Sequence, residues 1–156
     1  MKRWGLSDLS GLKRLPIDFT HEGRVAVLNY VEIHLSSGGI FELPKVVLDT
    51  GLEVGALVPR STLGGRWDDE DSRPARIYTL NGHELRCDAF DVKFMLGDEK
   101  FSGEVYVSDH APTAILGLPL LRNFHLMLAD DDHLKHWRGP CLLMPPISQH
   151  GLSFTK

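Results

Sequence analysis

The chain has 156 residues, 42% of them apolar and 24% charged, with a formal net charge of -4. That length sets one domain with a proper core rather than two full lobes, and the mild negative charge leaves no footprint for nucleic acid or an anionic membrane surface. No apolar run approaches the roughly 20 residues needed to span a bilayer, and the opening MKRWGLSDLSGLKRLP has charges but no apolar stretch ahead of a small-residue cleavage site.

Residues 1–20 read as an N-terminal segment, flexible or exchanged onto a partner. Between Arg24 and Leu35, the apolar residues Val25, Val27, Val31, Ile33 and Leu35 alternate with polar or mixed neighbours, the period of a strand with one face on the core. SSGG then turns the chain, and IFELPKVVLD returns as a second strand in a hairpin, with Pro44 marking an edge or bulge. Val46, Val47 and Leu48 form an apolar run that ends abruptly in Asp49, Thr50 and Gly51.

The segment from Arg60 to Pro74 holds two glycines, the acids Asp68–Asp71 and a closing proline, so it reads as an exposed loop. From Ala75 to Asp109, alternation around Asn81-Gly82 and Gly97-Asp98 predicts three or four antiparallel strands. In APTAILGLPLLRNFHLMLADDD, a short apolar run ends at Gly117 and one or two helical turns follow. Pro119 suits the first turn, and Leu118, Leu121 and Phe124, or Leu120 and Phe124, share a face. HLMLAD and PCLLMPP read as further short strands, the second inside a C-terminal segment, 139–156. The domain proper spans 21–138.

The triplet Asp49-Thr50-Gly51 admits two readings. All three residues form turns readily. Yet a carboxylate at the end of an apolar strand is costly unless hydrogen bonds, water or a second titrating group meet it. The second reading has a chemical rationale: hydrolysing an amide without a metal or covalent intermediate takes a base for the water and an acid for the carbonyl oxygen. Two adjacent carboxylates supply both, because they share one proton.

An apolar run, Asp-Thr-Gly, and a later AILGLPLLRNF resemble the retropepsin-like aspartic peptidases, and most closely their short bacterial single-domain members, over Val25 to Asp130. The resemblance implies an all-β, closed-barrel domain with one short helix. Since the chain holds one Asp-Thr-Gly, it also implies a homodimer in which Asp49 of each copy meets on the two-fold axis. Thr50 is then expected to brace the two loops and Gly51 to let the backbone approach the carboxylate. Gly117 packs beside that loop, a small residue where backbones crowd.

By the same resemblance the hairpin YTLNGHEL, with Tyr78, Asn81 and Gly82, is either the flap over the substrate or a remote surface hairpin. The implied substrate is an extended peptide or unfolded protein bound as an added strand, and the function is that of an aspartic endopeptidase. The alternative is a non-catalytic dimerisation or peptide-binding module. No cofactor is implied.

His133 and His136 beside Asp130, Asp131 and Asp132 read as solvated surface, so no metal is expected. Cys87 and Cys141 lack the spacing of a zinc or redox motif. Both are expected to be reduced, in a cytoplasmic protein.

Overall fold

The computed structural model describes residues 13–20, 25–63, 67, 71–78, 81–127 and 141–144. It is a β protein with one helical turn. The strands β1 (Lys13–Pro16), β2 (Asp18–Thr20), β3 (Val25–Leu28), β4 (Val31–His34), β5 (Ile40–Leu43), β6 (Val46–Asp49) and β7 (Ala56–Pro59) lead into a 3-10 turn at Arg60–Thr62. The hairpin β8 (Arg73–Tyr78) and β9 (Glu84–Leu96) follows, then β10 (Glu99–Ser108), β11 (Ile115–Gly117), helix α1 (Leu118–Leu121), β12 (His125–Met127) and β13 (Cys141–Met144).

The alternating stretch from Arg24 to Leu35 is not one strand. It breaks at Asn29 and Tyr30, so β3 pairs with β2 and β6 while β4 pairs with β5 and β9. Pro44 makes the same kind of break between β5 and β6, since a residue without an N–H cannot continue a ladder. Each half then serves a different part of the sheet.

Among the described residues, ten strands make one sheet in the order β2-β3-β6-β11-β7-β10-β9-β4-β5, with β8 also paired to β9. The expected closed barrel is not formed, because β5 ends the order without pairing back to β2. The sheet instead branches on β9, whose 13 residues receive β8 on the first half and β4 on the second, while β10 runs along the other edge. A second sheet, β1-β13-β12, joins the two end segments of the chain.

The core collects Val31, Ile33, Leu43, Val46, Val58, Phe94, Leu96, Val105, Leu116 and Leu120, all fully buried. On β4 and β5 the buried positions follow the period of two, while β7 is buried along its whole length and Leu120 comes from α1. The stretch read as an exposed loop contributes to this core: Trp67 is 1% exposed, its ring stacked on Phe41 at 5.0 Å and tilted against Phe90 at 4.8 Å. The apolar area of one indole outweighs the polar character of its sequence neighbours.

Candidate functional site

β6 and β7 are consecutive in sequence but not neighbours in the sheet. Between them lies β11, parallel to β6 and antiparallel to β7, with Gly117 opposite Asp49 and Leu116 opposite both Leu48 and Ala56. The loop from Asp49 to Gly55 therefore arches over the end of β11. Leu118 N–H donates to Leu52 O at 2.9 Å and Gly117 N–H to Gly55 O at 2.9 Å, which tie the arch to the start of α1.

Gly117 has no room for a side chain. A Cβ there would sit 2.7 Å from Leu52 O and closer still to Val54 O, both rigid backbone atoms. Gly55 is constrained from the other side, where a Cβ would come within 2.6 Å of Glu104 O on β10. The two glycines let three backbone segments cross at one point.

Asp49 closes β6 with its side chain exposed. Its backbone carbonyl accepts from Leu52 N–H at 3.1 Å, making a turn of Asp49-Thr50-Gly51-Leu52, and its Oδ1 accepts from Gly51 N–H at 2.8 Å. This fixes one carboxylate oxygen. A Cβ on residue 51 would lie 3.1 Å from that oxygen, so glycine gives the amide a close approach. Thr50 is exposed beside it. The apolar strand thus ends at the surface, and the carboxylate is met by solvent and one amide rather than buried.

A concavity of about 390 Å³ opens next to Asp49 and Thr50, walled by Ala26, Leu48, Leu118, Leu121, Phe124 and Arg122. Helical spacing puts Leu118, Leu121 and Phe124 on this wall, while Leu120 turns to the core. Phe124 packs against Phe101, the rings tilted with centroids 5.5 Å apart. Leu118 remains 43% exposed, an apolar side chain left in water beside the carboxylate. Arg122 was not singled out by sequence reasoning; its position one residue past the Leu118–Leu121 stripe was the available signal.

The hairpin β8–β9 presents two faces. Ala75, Ile77, Leu85 and Cys87 point inward and belong to one apolar cluster with Leu52 and Val54 of the Asp49 loop. The hairpin is therefore packed on the loop that carries the carboxylate. Asn81 and Gly82 form the exposed turn, Gly82 at φ +79, the left-handed region that favours glycine. Tyr78 lies on the opposite face from Ile77 and is 64% exposed. The structure does not bring Tyr78 into the cluster, and residues 79 and 80 lie outside the described ones.

Two larger concavities lie elsewhere. One of about 690 Å³ lies along β4, β9 and β10, and its acids Asp91 and Glu104 are already committed to Arg73. The other, about 470 Å³, lies beside the β5–β6 connection. Neither includes Asp49.

His133, His136 and Asp130–Asp132 lie outside the described residues. Among the described residues no helix is long and apolar enough to cross a membrane. Neither a scan against protein-family models nor a search of curated proteins finds a match to this chain.

Proposed function

We propose that the protein is an aspartic endopeptidase of the retropepsin-like kind, acting in the cytoplasm as a homodimer on extended peptide or unfolded protein. The observation that carries this reading is the presentation of Asp49: a carboxylate set at the crossing of β6, β11 and the loop, one oxygen held by Gly51 N–H, beside an exposed apolar wall. One carboxylate is half of the chemistry. A second copy related by a two-fold axis through this face supplies the other half and covers Leu118.

In the pair, two like charges at short range hold one proton between them, and the titration belongs to the pair. The ionised Asp49 takes a proton from water as the water oxygen attacks the amide carbon. The protonated Asp49 of the other copy gives its proton to the carbonyl oxygen, forming a neutral gem-diol. Collapse breaks the C–N bond as the nitrogen receives a proton, a hydroxyl proton returns to the pair, and the acid and amine leave. The hairpin turn at Asn81 and Gly82 closes over a substrate strand bound through main-chain hydrogen bonds.

The test is cleavage of an unfolded, mixed-sequence protein by wild type and Asp49→Asn at matched dimer content. Cleavage by the wild type alone establishes the peptidase. Peptide retention indifferent to Asp49→Asn, with no cleavage, establishes a non-catalytic peptide-binding module instead.

A further inference from the structure

The base of the β8–β9 hairpin is fastened by one cation. Arg60, the residue after β7, donates through Nη2 to Asp88 Oδ2 and through Nε to Asp109 Oδ1 at 2.9 Å. Asp88 sits where β9 changes partners, opposite Pro74 of β8 and Val107 of β10. Asp109 lies in the turn just after β10. Three elements thus meet on a half-buried guanidinium. Its planar fork serves both carboxylates from one fixed geometry, which a lysine ammonium does not reproduce.

The placement matters because of what lies on either side. Cys87, next to Asp88, is a buried member of the apolar cluster that joins the hairpin to Leu52 and Val54. β7, which ends at Arg60, starts at Ala56 directly after the Asp49 loop and is laddered to β11 and β10. The cation therefore links a laddered strand issuing from the site to the base of the hairpin packed on that site. Among the described residues no other cation pairs with Asp88 or Asp109.

We propose that Arg60 is the positioning residue that sets the angle of the β8–β9 hairpin over the Asp49 loop, with Asp88 as the hinge contact and Asp109 as the brace. Its consequence for substrate closure rests on the peptidase reading above. The hinge itself does not.

Amide hydrogen exchange resolved by peptide tests it on the full chain, comparing wild type, Arg60→Gln, Asp88→Asn and the reciprocal pair Arg60→Asp with Asp88→Arg. The expected result is exchange faster by about two- to fivefold across residues 75–78 and 84–88 in both single variants, with β6, β7 and β11 unchanged, and substantial return of protection in the reciprocal pair. Asp88→Asn is isosteric and half-exposed, so it reports even where Arg60→Gln fails to fold. Unchanged hairpin exchange in the single variants overturns the proposal. So does a uniform rise across the whole sheet, which marks a plain structural contact. If the hairpin responds as expected but no form of the protein cleaves any substrate, the hinge stands and the peptidase falls. If cleavage depends on Asp49 but the hairpin ignores Arg60, the reverse holds.

Discussion

Gly117 stands directly opposite Asp49 in the β11–β6 ladder, and the space its missing side chain leaves is filled by the carbonyls of Leu52 and Val54. The backbone of the loop after Asp49 can arch over β11 only because nothing projects from residue 117. Gly117→Ala sets a methyl against rigid backbone, and is expected to cost about 3 kcal/mol or prevent folding. Gly82→Ala meets no atom within 4 Å and is strained only by its φ of +79, so about 1 kcal/mol is expected there. Urea unfolding of the two variants measures the contrast; equal costs would remove the crowding argument.

Asp49→Asn is expected to separate stability from chemistry. The asparagine carbonyl oxygen can accept the Gly51 N–H as Oδ1 does now, and the side chain is exposed, so unfolding free energy should move by less than about 0.5 kcal/mol. Cleavage should fall by about 10²–10⁴-fold, the range for a lost acid–base group. A stability loss comparable to that of Gly117→Ala would show that the carboxylate holds the loop together instead.

Leu118 carries the prediction for assembly. It is an exposed apolar side chain on the wall beside Asp49, so Leu118→Glu puts a charge on the face assigned to the second copy and leaves the core untouched. The expected outcome in sedimentation velocity is a wild-type dimer and a folded Leu118→Glu monomer without peptidase activity. A variant that stays dimeric would move the interface elsewhere.

The elements around Asp49 were legible because each has a local cause. An apolar run names β6, Asp-Thr-Gly names the turn, and helical spacing offers Leu118, Leu121 and Phe124, or Leu120 and Phe124, as one face, of which the first set walls the concavity. Non-local facts were hidden. Nothing in residues 46–59 says that β11 lies between β6 and β7, and the break at Asn29 and Tyr30 is set by which partners β3 and β4 find. Arg60 drew no notice because its two carboxylates come from distant stretches of the chain. Trp67 was misread for a different reason: its neighbours are polar, and only the gap between Phe41 and Phe90 brings it in.

That gap supports a stability prediction. Trp67→Ala removes a ring packed on two others and should cost about 3–5 kcal/mol, lowering the melting temperature by about 10 °C or more in a chain of this size. Trp67→Phe keeps a stacked ring, and among the described residues the indole Nε1 has no hydrogen-bond partner to lose, so its cost should stay near the 1–2 kcal/mol of a lost ring's volume. Differential scanning calorimetry of the pair decides whether the segment is part of the core; equal and negligible shifts would return it to the surface.

Cys87 gives a pH dependence with a definite sign. The thiol is buried on the inner face of the hairpin and donates weakly to Leu85 O at 3.6 Å. Burial pushes the thiol above its ordinary value, while an interaction with Ser108 pulls weakly the other way. Because the folded value is raised, the folded state favours the neutral thiol: its contribution is full below the ordinary thiol pKa of about 8.5 and is lost as pH rises through the folded value. Alkylation by iodoacetamide, followed on the peptide that carries Cys87, should therefore be at least about tenfold slower at pH 8 than for the urea-unfolded chain and should accelerate only at distinctly higher pH. A rate matching the unfolded chain at pH 8 would mean that the hairpin does not cover Cys87 and leaves the Asp49 loop open beneath it.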